Sequence, residues 1–281
     1  MEQTGDPHEA LFLVLSYLPL LQLLSMSQVT KSLRHAVRSD VLIWMDLVVE
    51  KPLNYRLSDQ NLIRIASNAQ GRLRTLALLG CFKITDHGLR RVIYANPLIS
   101  KLYVPACTGL TPEIILEATK TLTKLKQVKI DSIPNFKQEH LQELINHFPH
   151  TTRKKPRFYH KYGNSNFRAL DEDTSSIDVE ECPKCKEVKL VFDCPRESCG
   201  CLGCGNCIQR CEGCGICLSN EDDEQLGETL CNDILCLDCW LAFRKCDYCN
   251  KSFCPRHADE QLTGPGGFVC ENCKMKLLDN E

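Results

Sequence analysis

The sequence predicts a multidomain chain: a small all-α bundle, then a short α/β solenoid, then an irregular domain organised by cysteine. Three observations carry this reading. Pro7 to Val49 is leucine-rich at helical spacing. The middle of the chain repeats every 26 residues. Of 20 cysteines, all but Cys81 and Cys107 lie between Cys182 and Cys273. At 281 residues there is room for two or three modules, and a net charge of −2 gives no sign of bulk nucleic-acid binding.

In the first stretch Leu11, Val14, Leu15 and Leu18 share one helical face. Pro19 restarts the chain at a favourable first helical position, and Leu20, Leu23 and Leu24 continue a second short helix. Thr30 can cap a third over Lys31 to Arg38, with Leu33 and Val37 inward. Leu42, Trp44 and Leu47 close the unit. So small a bundle cannot bury this many leucines alone, so either the surplus is ordinary surface or it faces a partner. The order of residues separates the two. Pro7, a helix ending Leu-x-Tyr-Leu-Pro, then Val-Thr-Lys-Ser-Leu-Arg and Ser-Asp-x-Leu-x-Trp resembles the F-box, over residues 5–50. The resemblance implies recruitment of the Skp-type adaptor, and through it a cullin, with Pro7, Leu11, Leu18, Pro19, Leu24, Val29 and Trp44 at the family's positions. Asp6 stands where the family carries Leu, and Leu33 where it carries a bulkier residue.

Residues 51–150 carry the repeat. Leu73, Ile99 and Leu125 are in register, as are Leu76, Leu102 and Val128, and Leu78, Val104 and Ile130. Cys81 and Cys107 align with Ile133; Ile84 and Leu110 with Phe136; Leu89 and Ile115 with Leu141. This is the leucine-rich-repeat frame, one short strand and one helix per copy. The two outlying cysteines are then buried repeat positions. Residues 57–66 and Trp44-x-x-Leu47-x-Val49 form weaker half-copies, so the solenoid starts directly off the bundle. Between the apolar strand positions lie Thr75, Ala77 and Leu79, Lys101, Tyr103 and Pro105, and Gln127, Lys129 and Asp131. Lys101, Tyr103, Gln127, Lys129 and Asp131 are the candidate substrate-binding residues; the alternative is that so few repeats form a spacer.

Residues 151–180 have no apolar period and pass from basic to acidic, which predicts a mobile linker. Arg153, Lys154, Lys155 and Arg157 read as a solvated charged loop rather than an import signal or phosphate site.

Residues 181–275 hold the cysteine array. No Lys or Arg precedes Lys31, so no signal-peptide n-region opens the chain, and Leu11 to Leu24 is too short and too interrupted to span a membrane. A nuclear or cytoplasmic setting is expected, where thiols stay reduced and bind metal. Seven pairs have ligand spacing: Cys182/Cys185, Cys204/Cys207, Cys211/Cys214, Cys236/Cys239, Cys246/Cys249, Cys254/His257 and Cys270/Cys273. Cys194, Cys199, Cys201, Cys217 and Cys231 are left over, and the triplets Cys201/Cys204/Cys207 and Cys211/Cys214/Cys217 prevent a unique pairing. Nineteen candidate ligands allow three to four structural Zn²⁺ ions at four ligands each. The segment is acidic and lacks a basic helix, which argues against DNA. A RING-like ligase would want a histidine among the middle ligands, whereas the well-spaced one is His257.

The whole order resembles a group of plant F-box proteins described as Skp-interacting partners. It implies the non-catalytic substrate receptor of a Skp–cullin–F-box ubiquitin ligase, with an unknown protein substrate and neither nucleic acid nor membrane as partner. No nucleophile–base pair or phosphate-binding glycine loop appears. The competing readings are a self-sufficient RING-like ligase and a zinc-containing transcription scaffold.

Overall fold

The computed structural model describes residues 13–15, 17–148, 155–162, 167–218, 227–253 and 269–278. They fall into two compact units. The first is built from the described residues up to 148 with 167–181 and 187–189; the second from 155–162, 182–186 and the described residues from 190 onward.

The first unit opens with an α-helical bundle. Helix α1 spans Leu20–Val29 and α2 spans Lys31–Ser39. The Thr30 hydroxyl accepts the Leu33 N–H at 3.1 Å and so starts α2 where the sequence places it. Asp40 in turn accepts from the Leu42 N–H at 2.9 Å and turns the chain into a 3₁₀ segment, Val41–Trp44. Leu15, Leu23, Leu33, Val37 and Trp44 are buried. The Trp44 indole N–H donates to the Val37 carbonyl at 2.6 Å, tying the 3₁₀ segment to the end of α2. Trp44→Phe keeps the packing and loses that bond, so it is expected to lower stability by about 1 kcal/mol, read from the denaturant midpoint.

The mixed α/β region follows without a break. Strands β1 (Asp46–Val49), β2 (Thr75–Leu78), β3 (Lys101–Tyr103) and β4 (Gln127–Lys129) form one parallel sheet in chain order. The pairings Leu76↔Leu102 and Leu102↔Val128 set the period of the sequence directly into sheet register. Helices α3 (Asp59–Ala66), α4 (Asp86–Ala95), α5 (Pro112–Thr121) and α6 (Gln138–His147) alternate with the strands. The in-register residues are buried, Cys81 and Cys107 included; Phe136 is only partly so. One continuous apolar core runs from Leu15 in the bundle to Ile133, Leu144 and Phe148, so the bundle is packed onto the sheet rather than tethered to it.

A polar ladder locks successive copies together. The Asp59 carboxylate accepts from the Thr85 N–H at 3.0 Å and the Thr85 hydroxyl at 2.6 Å. Asp86 does the same for Thr111, at 2.9 and 2.7 Å. Gly88 makes room for this: a Cβ there would lie 2.2 Å from Asp59 Oδ1. Gly88→Ala is therefore expected to destabilise the unit by about 1–3 kcal/mol, measured by chemical denaturation, although alanine favours helices elsewhere.

The stretch expected to be a mobile linker is folded in its acidic half. Helix α7 (Phe167–Glu172) and β5 (Val179–Glu181) belong to the first unit, and Ile177 and Val179 join its core. Arg157, expected in a solvated loop, is buried in the second unit, where its N–H donates to Asp193 Oδ2 at 2.9 Å. Lys155 is exposed; Arg153 and Lys154 lie outside the described residues.

The second unit is largely irregular. Strand β6 (Val188–Phe192) pairs antiparallel with β7 (Gly203–Cys204) through Val191↔Cys204 and Phe192↔Gly203. Helices α8 (Leu237–Ala242) and α9 (Glu271–Leu278) are short. Among its described residues two small apolar clusters include cysteines: Cys182 and Cys204 with Val191, and Cys211 and Cys236 with Leu218 and Leu235. The buried Arg210 guanidinium crosslinks loops by donating to the Phe192, Asp193 and Gly215 carbonyls.

Candidate adaptor face and cysteine centres

Filling the bundle interior with Leu15, Leu23, Leu33, Val37 and Trp44 turns other apolar side chains outward. Leu13, Val14, Tyr17, Leu21, Val29 and Leu42 are exposed, Tyr17 at 86% and Leu42 at 68% of full exposure. Tyr17 and Leu42 line one open pocket of about 510 Å³ with Leu18, Pro19, Leu20 and Ile43. Among the residues nominated from the sequence, Pro19 and Val29 are exposed, Leu18 and Leu24 are half-buried against the core, and Pro7 and Leu11 lie outside the described residues. Trp44 is buried, and its indole N–H is bonded to the end of α2. Leu13, Val14, Tyr17, Leu21 and Leu42 are exposed apolar residues that were not among those nominated. Their signal was phase: they are apolar residues standing between the inward positions.

In the second unit, sixteen cysteines gather into four groups of four, with all Sγ atoms of a group within 4.8 Å of one another. Centre 1 is Cys182, Cys185, Cys204 and Cys207; centre 2 is Cys194, Cys199, Cys201 and Cys217. Centre 3 is Cys211, Cys214, Cys236 and Cys239; centre 4 is Cys246, Cys249, Cys270 and Cys273. Centres 1, 3 and 4 each join two of the C-x2-C pairs read from the sequence. Centre 2 is assembled from residues those pairs left over, so Cys201 and Cys217 leave their triplets. Cys231 enters none of the four, and Cys254 and His257 lie outside the described residues.

The backbone explains why these pairs converge. After the first pair of centres 1, 3 and 4 stands a left-handed residue: Lys186 at φ 63°, Gly215 at 79°, Asn250 at 55°. Its N–H returns to the carbonyl of the first cysteine at 2.8–2.9 Å, closing a tight turn with both thiols on one side. The second pair begins a helical turn, Cys236 capping α8 and Cys270 preceding α9. Its first N–H donates to the first pair's leading sulfur: Cys204 to Cys182 at 3.3 Å, Cys236 to Cys211 at 3.2 Å, Cys270 to Cys246 at 3.3 Å. N–H donors at a helical start favour thiolate over thiol.

The thiols respond accordingly. Burial raises Cys182 and Cys246, but N–H donors outweigh it and hold each at about 6. The same contest leaves Cys194 at about 7. Cys211 falls to about 4, first through the Cys214 thiol and against its own burial. Their partners move the other way: burial and neighbouring sulfur push Cys201 and Cys239 up to about 12, and hydrogen bonds from Cys185 and Cys270 do so for Cys207 and Cys273. Four thiolates so close repel one another unless a cation sits between them. Inter-pair sulfur separations of 3.6–3.9 Å match the edge of a tetrahedron with metal–sulfur bonds of about 2.3 Å. The groups are thus able to hold metal ions.

A family profile described as the F-box domain matches residues 7–45, the stretch that contains the bundle. F-box protein SKIP28 of Arabidopsis thaliana is 38% identical over 99% of this chain and 94% of its own length. The chain belongs to the plant SKIP-type F-box proteins. F-box protein SKIP14 of the same plant is 33% identical, and the F-box protein At3g27290 is 31% identical; the chain spans 55% and 61% of their lengths. A second profile, the C-terminal domain of that At3g27290 F-box protein, matches residues 178–248 and so covers centres 1 to 3. The chain therefore unites an F-box with a family-specific cysteine domain. Centres 1, 2 and 3 interleave along the sequence, but no histidine among the described residues enters any of the four shells. Among the described residues no helix is long and apolar enough to cross a membrane.

The candidate substrate residues of this F-box protein lie on the sheet but not in the open. Tyr103 and Lys129 are fully buried. Lys101 pairs with Asp171, Gln127 meets the Tyr103 hydroxyl at 2.6 Å, and the Asp131 N–H donates to Asp178 at 3.2 Å. Burial first, then Asp171, push the Tyr103 hydroxyl well above the ordinary phenol range. The sheet face is covered by the acidic segment of the same unit.

Proposed function

We propose that this chain is the substrate-receptor subunit of a Skp–cullin–F-box ubiquitin ligase, docking the Skp-type adaptor on the exposed apolar face around Tyr17 and Leu42. The carrying observation is an F-box whose interior is already full while six large apolar side chains remain outside. Exposed apolar side chains gathered at one pocket, as Tyr17 and Leu42 are, favour an interaction site. The chain is non-catalytic. It holds a protein substrate near a ubiquitin-charged partner and raises the effective concentration of the acceptor lysine.

We read the middle region as a short leucine-rich-repeat solenoid over residues 51–150, which fixes the distance between adaptor and cargo. The unbroken core supports that rigidity. The four cysteine centres bind four structural Zn²⁺ ions: complete sulfur shells favour zinc and leave no coordination position for hydrolytic chemistry. A nuclear or cytoplasmic location suits a reduced thiol array. Binding of purified chain to immobilised Skp-type adaptor tests the assignment. The full chain is expected to be retained and a chain lacking residues 1–49 to be lost; equal retention of both would refute it.

A further inference from the structure

We infer that the sheet face opposite the helices is a receptor for acidic peptide segments, and that residues 167–175 lie on it as an intramolecular occupant. The inference rests on the substrate-receptor reading and names the class of cargo. It starts from the outward strand positions. Lys101, Tyr103, Gln127 and Lys129 stand on adjacent strands and present two ammonium groups, a phenol and an amide. On a sheet that ends there, Lys129 would be solvated. Instead it is fully buried, its Nζ 2.9 Å from the Ser175 carbonyl, 3.0 Å from the Ser175 hydroxyl and 3.2 Å from an Asp173 carboxylate oxygen. Asp171 pairs with Lys101 and accepts from the Tyr103 hydroxyl at 3.1 Å. The Phe167 ring lies 6.0 Å from that of Tyr103. The face thus recognises two carboxylates two residues apart on a peptide that ends in backbone contact.

The segment is attached in two different ways along its length. From Ser176 onward the hold is apolar and backbone-based. The Val128 N–H donates to the Ser176 carbonyl at 2.7 Å, Ile177 and Val179 enter the core, and Asp178 accepts from the Ile130 N–H at 2.8 Å. Before Ser176 the hold is mixed: the Lys101–Asp171 pair is about a third exposed, the Lys129–Asp173 pair and Leu170 are buried, and Phe167 meets the Tyr103 ring. Exposed ion pairs are weak and screened by salt. The exposed pair is the point at which residues 167–175 open first, and an incoming acidic segment supplies carboxylates that replace those of Asp171 and Asp173 on Lys101 and Lys129, while β5 keeps the chain anchored.

The test uses the full chain and a fluorescein-labelled peptide copying residues 167–175, followed by fluorescence polarisation. The doubly neutralised chain, Asp171→Asn with Asp173→Asn, is expected to bind the peptide at least tenfold more tightly than the unaltered chain. Adding Lys101→Ala, or replacing both peptide aspartates by asparagine, should remove that gain, and raised salt should weaken binding. Equal binding by the two chains would mean a permanent cap and would overturn the proposal. Hydrogen exchange on the unaltered chain gives a second reading that needs no variant to fold. Saturating peptide should speed exchange in residues 167–175, and unchanged exchange there also overturns it. Adaptor capture measured on the same samples separates the two readings: its loss strikes the receptor assignment, whereas peptide binding strikes only the acidic-cargo claim.

Discussion

Stripping metal with a strong chelator under reducing conditions is expected to unfold the second unit and leave the first folded. Among the described residues of the second unit, the apolar clusters that include Cys182, Cys204, Cys211 and Cys236 are small. Without a cation nothing strong ties the four sulfurs of each centre together, and the described loops between them are held by little else. Structural zinc in small domains contributes on the order of 10 kcal/mol of folding free energy. The first unit keeps its single continuous core and has no such dependence. Elemental analysis of reduced chain should give four zincs. Cys211→Ser should lose the ion of centre 3 and loosen residues 211–239, seen as lost near-ultraviolet signal from Trp240. The pH dependence has a definite sign. Cys201, Cys207, Cys239 and Cys273 have pKa values raised to about 12, so loading each centre must expel protons. Affinity therefore falls as pH falls, and a competition titration with a chromophoric chelator between pH 8 and pH 6 should show progressive release (roughly one to two decades per unit).

Tyr17→Asp and Leu42→Asp are each expected to weaken adaptor capture by about 2–4 kcal/mol, roughly 30- to 1000-fold, with little change in stability. Both side chains are mostly exposed and line the same pocket, so a charge there burdens the interface and not the core. Leu23→Asp should do the reverse: it is buried, so it collapses the bundle and loses capture through unfolding. Circular dichroism beside the binding measurement distinguishes the two cases. If Tyr17→Asp bound as well as the unaltered chain, the docking face would lie elsewhere.

The sequence foretold the parts governed by a period. Leu76, Leu102 and Val128 were aligned by spacing, and the sheet pairs those same residues. Thr30 starts α2, and Leu47 and Val49 form β1, as their local patterns implied. The first pairs of centres 1, 3 and 4 were legible because a C-x2-C turn is a local object. Centre 2 was not. Cys194, Cys199, Cys201 and Cys217 share no spacing, and the folding of centres 1 and 3 on either side brings them together. The acidic segment 167–178 was read as a linker because it has no apolar period. A strap that is helical to Glu172 and irregular beyond it, held by Asp171, Asp173 and Asp178, needs none, since its partners are lysines and N–H groups distant in sequence. Trp44 was legible only as a motif position; that its indole is buried and bonded to Val37 depends on the turn after α2, which no local spacing reveals.

The most direct single measurement is the mass, by light scattering, of what the purified full chain forms when mixed with a Skp-type adaptor and its cullin. One stable assembly with one copy of each is expected. A chain that elutes alone, with adaptor and cullin together in a separate peak, would contradict it.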